Sequence, residues 1–182
     1  FLNYNDMAEV AAEIGFEGLD LTVRPKGHVL PERVADDLPK AVEAMEKFGL
    51  QAQMMTTNVT NANDPEQLAI LQTASELGIK HYRMGWLKYP EGDSIPKSIE
   101  TFTDQFKSLE ILNQKLGLHG AYQNHAGNHV GAPIWDLYQI LKGTSTKFIG
   151  SQYDIRHATV EGGNSWELGL RLIQPFIKSI VI

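Results

Sequence analysis

Two stretches hold most of the chemistry this chain could perform. Ile149–Gly163 reads I-G-S-Q-Y-D-I-R-H-A-T-V-E-G-G and passes from an apolar run into Asp154, Arg156, His157 and Glu161. Upstream, Y-Q-N-H-A-G-N-H sets Gln123, Asn124, His125 and His129 behind a similar run. Imidazoles exchange protons near neutral pH, and carboxylates orient them or ligate cations. Amides and guanidinium groups fork onto hydroxyls or carboxylates. Three further strand ends add Arg24 and His28, then Thr56, Thr57 and Asn58, then Arg83, Trp86 and Lys88. The collection fits a polyhydroxylated substrate. His125, His157 and Glu161 are candidates for proton transfer, and Trp86 is a platform for a sugar face. Arg24, His28, Arg83, Gln123, Asn124 and Arg156 are candidate substrate contacts.

Each of these residues also has a purely structural reading. Asp154 could cap the segment after its strand, and Arg156 could pair with Glu161. A tryptophan such as Trp86 is more often core than platform. His28 lies in a loop rich in Pro and Gly, where either reading holds. His81 and His119 sit at strand starts, the wrong end for a site, and read as structural; His129 is unassigned. Gly162-Gly163 before a helix could offer free N–H groups to a phosphate, but a plain helix start is the simpler account.

Composition narrows the class. The chain has 182 residues, 42% hydrophobic and 21% charged, enough for one core and too few for two comfortable domains. A formal net charge of −6 argues against a nucleic-acid binder, whose affinity would rest on Lys and Arg at phosphates. No apolar run approaches the roughly 18 residues of a membrane span. With no cysteine there is neither disulfide nor thiolate metal site, so any metal needs carboxylate, imidazole or amide ligands. The chain reads as cytoplasmic, with export left open because its N-terminus looks truncated. A homo-oligomer is also left open.

The elements that would position these residues alternate regularly. A helix opens near Asn5 and stops at Gly15, and a strand follows at Gly18–Val23. Helices over about 34–48, 65–77, 97–116, 134–142 and 166–174 alternate with strands over 50–57, 79–86, 118–124, 148–154 and 177–182. The segment after Asp154 is read as a loop. Strands separated by single helices imply a parallel sheet with right-handed crossovers. No G-x-G-x-x-G follows the first strand, and polar groups sit at every strand end. Both features favour a (β/α)8 TIM barrel over an open doubly wound sheet. About six of eight strands are visible, so residues 1–182 read as a single partial barrel lacking the first strand and the C-terminal end.

The motifs A-E-I-G-F-E-G-L-D-L, L-G-I-K-H-Y-R, Y-Q-N-H-A-G and Y-D-I-R-H-A resemble those of the xylose isomerase-like TIM barrels, broadly the sugar phosphate isomerases/epimerases. That family typically has E-N-H at its fifth strand end and D-x-x-H-A at its sixth. The resemblance implies a divalent ion (Mn²⁺, Mg²⁺, Co²⁺ or Zn²⁺) ligated by Asp154, and a substrate-contacting His157. Gln123 stands where the family usually has a glutamate that binds metal and moves protons. An amide can coordinate weakly but cannot accept and return a proton. The implied activity is isomerisation or epimerisation of a sugar or sugar phosphate by metal-assisted proton transfer through an enediolate. The alternatives are a lyase or hydrolase on an oxidised sugar, or a catalytically silent carbohydrate-binding barrel. The partner is a small-molecule sugar, with no nucleic acid and no membrane.

Overall fold

The structure is a computed structural model and describes residues 2–182. Helices α1 (Tyr4–Ile14), α2 (Val34–Lys47), α3 (Pro65–Glu76), α4 (Ile95–Leu116), α5 (Trp135–Leu141), α6 (Ile155–Gly162) and α7 (Trp166–Ile173) surround six strands. These are β1 (Gly18–Val23), β2 (Gln51–Thr57), β3 (His81–Arg83), β4 (His119–Gln123), β5 (Ile149–Asp154) and β6 (Ile177–Val181). Local chemistry sets the boundaries. Asn3, Asp64, Ser94 and Asp154 each accept a hydrogen bond from the backbone N–H three residues on, which starts α1, α3, α4 and α6. Gly15, Gly49, Gly78 and Gly117, read as helix stops, have φ between +69° and +92°.

All six strands are parallel, in the spatial order β1-β2-β3-β4-β5-β6. A doubly wound sheet reverses direction at a switch point; a sequential order means every right-handed crossover lies on the same face. The sheet therefore curls as a barrel does. Gln152 of β5 reaches the Met54 sulfur of β2 at 4.0 Å, although those strands are not neighbours. Six strands form an incomplete barrel, with β1 and β6 as its edges.

The main core lies between the outer sheet face and the helices. Leu21, Val23, Met55, Tyr82, Tyr122, Ile149 and Tyr153 meet Leu38, Met45, Leu71, Phe106, Leu109 and Ile140, all essentially inaccessible. Each such apolar side chain contributes roughly 1.5–3 kcal/mol on burial. Asn113 satisfies a polar seam there, accepting from the Tyr82 hydroxyl at 3.1 Å and donating to the Phe148 carbonyl at 2.9 Å.

Two expectations differ from the structure. The strand expected over 79–86 is only three residues long. Gly85 leaves the ladder because its N–H bonds the Val59 carbonyl, and a Cβ there would come within 2.6 Å of the Asn58 oxygen. The segment after Asp154, read as a loop, is helix α6. One residue ends β5 and caps that helix, so no connecting loop is needed.

Candidate functional site

Strand alternation decides which side chains enter the barrel. From β1 to β6, the inward positions near the carboxyl ends are Asp20, Thr56, Arg83, Gln123, Gln152 and Val181. With Arg24, Trp86, His125 and His157 they line one cavity of about 360 Å³. Asp154, the last residue of β5 and on the same face as Gln152, is 6% exposed.

Asp154 is the hub of the β4–β5–β6 wall. Its Oδ1 accepts from the His157 N–H at 2.9 Å, and its Oδ2 accepts from Gln123 Nε2 at 2.9 Å. Asn124 clamps the Asp154 backbone from both sides, donating to its carbonyl at 3.0 Å and accepting from its N–H at 2.8 Å. A side-chain amide thus continues the ladder where β4 has ended. Because Asp154 is the cap, His157 falls in the first turn of α6, with Nε2 3.9 Å from Asp154 Oδ2. Burial lowers the His157 pKa, while the Asp154 charge opposes the shift; His125 and Arg156 reinforce it. Burial thus favours the neutral ring.

Loop pairing delivers the aromatic members. The buried Tyr122 hydroxyl accepts from the Leu87 N–H at 3.0 Å and donates to the Val130 carbonyl at 3.1 Å. The Val130 N–H returns to the Leu87 carbonyl at 2.9 Å, and Lys88 bridges His129. Zipping these loops together sets Trp86 edge-to-face against His125 at 4.4 Å between ring centroids, and His125 against the tilted ring of His157 at 4.2 Å. His129 joins from behind, 4.6 Å from His125. Arg83 places its guanidinium carbon 4.5 Å from the Trp86 ring centroid. The row Arg83–Trp86–His125–His157 is thus continuous from β3 to α6.

The other proposed residues lie elsewhere. His28 sets Nδ1 2.8 Å from the Thr22 hydroxyl. Asn124 is 1% exposed and occupied by Asp154. Arg156 is exposed on α6, and no ion pair joins it to Glu161. Glu161 instead accepts from the Gly127 N–H at 2.9 Å, tying the β4–α5 loop to α6. The Gly162-Gly163 pair ends α6, with Gly163 at φ +50°.

Asp20 and Gln152 were not singled out from sequence, though both line the cavity. Their signal was period two: Gln152 shares a face with Asp154, and Asp20 stands between the apolar Leu19 and Leu21. Asp20 accepts from the Thr56 hydroxyl at 2.8 Å. It remains solvent-accessible along the open edge, yet crowding by protein raises its pKa, with Thr56 and Arg83 pulling the other way.

The donors for a divalent ion are few. Val181 pairs in register with Asp154 on the neighbouring strand and offers no ligand. No group of three His, Asp or Glu suited to a metal occurs among the described residues. Asp154 already holds two hydrogen bonds, and Gln123 turns its amide N–H₂ toward it. These residues alone do not fit a coordination shell, which needs at least four donors for Zn²⁺ and about six for Mg²⁺.

No curated protein sequence matches the chain significantly. Among solved structures it is similar to 3-keto-D-glucoside 4-epimerase from E. coli, with TM-score 0.75 and 14% identity over 98% of this chain and 73% of that one. It is also similar to the probable 3-DHS dehydratase of petrobactin synthesis from Bacillus anthracis, with TM-score 0.73 and 13% identity over 99% and 67%. A third is D-allulose 3-epimerase from Methylomonas sp., with TM-score 0.71 and 13% identity over 97% and 65%. At these identities the likeness concerns the fold. The profile of one family matches residues 8–182, nearly the whole chain: this protein belongs to the xylose isomerase-like TIM barrels.

Proposed function

We propose that this chain builds the substrate rim of a sugar isomerase or epimerase that moves a proton through an enediolate. The observation that carries the reading is the convergence of two neighbouring imidazoles, His125 and His157, on a cavity that also holds Arg83 and Trp86. Family membership and the carbohydrate epimerases of the same fold support it.

In this reading Trp86 takes an apolar sugar face, and Gln123 and Gln152 take hydroxyls. A neutral imidazole removes the proton beside the substrate carbonyl. The electrons of the broken C–H bond form the enediolate C=C, and the carbonyl pair moves onto oxygen, where Arg83 meets the developing charge. Reprotonation of that carbon on its opposite face inverts it; reprotonation of the neighbouring carbon, with the hydroxyl proton passing to the former carbonyl oxygen, isomerises the sugar, and mass is conserved either way. Asp154, 3.9 Å from His157 Nε2, steadies that imidazolium. His125 Nδ1 faces the Ala126 carbonyl at 3.1 Å, and the tautomer donating there leaves Nε2 free as a base. The divalent ion implied by the resemblance would find only Asp154 and the Gln123 amide oxygen here, too few donors for a coordination shell.

Proton NMR of the intact protein with candidate ketoses and aldoses in D₂O tests this. Exchange of the hydrogen beside the carbonyl with conserved mass is expected; no exchange with any sugar, alongside saturable sugar binding, would make the barrel a binding protein. Gln123 favours one second reading, a dehydratase, because elimination needs only one base and an acid for the leaving hydroxyl. Release of water and an unsaturated product in the same experiment would select it.

A further inference from the structure

Among the described residues, the positive charge facing this cavity makes no ion pair with a carboxylate. Arg83 is 5% exposed, yet its one hydrogen bond is from Nη1 to the Met84 carbonyl at 3.0 Å. Arg24, half-buried across the same cavity, keeps its Nε enclosed without an acceptor. Neither guanidinium belongs to any ion pair among the described residues; those present involve Arg33, Lys40, Lys47, Lys97 and His157. The carboxylate lining the cavity, Asp20, is hydrogen-bonded to Thr56 and ion-pairs with neither arginine; Asp154, outside the lining, is held by His157 and Gln123. Asp20 attracts Arg83 only at a distance, while Arg24 repels it.

Burying a guanidinium without a counter-charge is costly, and two that face one shared space raise the cost. The cost falls when an anion enters, and the planar fork of arginine suits a carboxylate or phosphoryl group bidentately. Arg83 is also held rigid against Trp86, so little is lost in ordering it. We infer that Arg24 and Arg83 form a receptor for an anionic group, so that the ligand of this rim is a sugar acid or sugar phosphate and not a neutral sugar. That the anion is borne by a sugar rests on the function proposed above; the anion receptor itself does not.

Isothermal titration calorimetry on the intact protein, with inorganic phosphate, D-gluconate and D-glucose as probes, tests it. Saturable binding of phosphate or gluconate is expected, weakening at high salt, with glucose bound at least about tenfold more weakly. The tighter of the two anions tells phosphoryl from carboxylate. Arg83→Gln and Arg24→Gln should each weaken the anion by about tenfold or more, and Arg83→Lys should recover only part of the loss. Arg24 lies nearer the surface, so Arg24→Gln decides the matter if Arg83→Gln fails to fold. Glucose binding as tightly as gluconate, no saturable binding of either anion, or anion binding indifferent to Arg24→Gln would overturn the inference. Anion binding without hydrogen exchange would leave the receptor standing and remove the isomerase; exchange on neutral sugars without anion binding would do the reverse.

Discussion

The barrel carries a pair of histidines at each end, under opposite conditions. At the carboxyl end, His125 and His157 are half-buried, lie 4.2 Å apart between ring centroids, face a cavity and have Asp154 alongside. At the amino end, His81 and His119 lie in register on β3 and β4, 5.9 Å apart. His119 is 4% exposed, neither ring nitrogen finds a hydrogen-bond partner, and burial pulls its pKa down to about 4. Residue type and pairing alone therefore do not make a site. An imidazole that lacks both partner and access is held neutral and idle. One with a carboxylate at hand and open space in front can cycle its proton.

Charge removal at Asp154 should break that contrast most strongly. Asparagine caps helices as well as aspartate, so Asp154→Asn should keep stability within about 0.5 kcal/mol while lowering sugar turnover by about 10²- to 10⁴-fold. Asp154→Ala should also lose about 1–2 kcal/mol in urea unfolding. Full turnover by the Asn variant would reduce Asp154 to a helix cap.

The amino-end pair should be visible in acid. The unfolded His119 takes its proton near pH 6.5 and the folded one only near pH 4, so the unfolded state binds more protons between those values. Stability is intact above pH 6.5 and falls through that window by roughly 3 kcal/mol, in which His119→Gln should fall less. His28, His81 and His157, whose pKa values burial also lowers, act in the same direction. Urea unfolding at pH 7 and 4.5 makes the comparison; equal acid losses in both proteins would mean that His119 finds a partner after all.

Smaller effects sharpen the carboxyl end. Trp86→Ala should raise KM about tenfold by removing the platform beside Arg83 and His125, with a lesser effect on kcat. An unchanged KM would leave Trp86 as packing. Glu161→Gln keeps an acceptor for the Gly127 N–H and should cost no more than about 0.5 kcal/mol and little turnover, whereas a large loss of kcat would return Glu161 to the chemistry.

Much of the fold was legible from sequence because helix stops and strand runs are local. Gly15, Gly49, Gly78 and Gly117 mark the turns from helix to strand, and the motif around Asp154 was readable as a strand ending in charge. The loop expected after it was not there, because an aspartate cap and a loop polar residue look identical in one dimension. The Trp86 strand was overextended, since the Gly85 crossing depends on the Val59 carbonyl from another loop.

What the sequence determined by itself is the alternation of elements and the supply of His, Asp, Arg and amide groups at strand ends, because propensity, capping and period two act over a few residues. Which of those groups share a space was decided only by the curl of the sheet. Barrel curvature sets Asp20, Arg24, Gln152 and Val181 around one cavity, turns Asn124 into a clamp and draws Glu161 to Gly127. The Tyr122 hydroxyl, joining two loops far apart in sequence, places Trp86 on His125. Contacts of that range depend on strand order and register, and no short stretch of sequence encodes either.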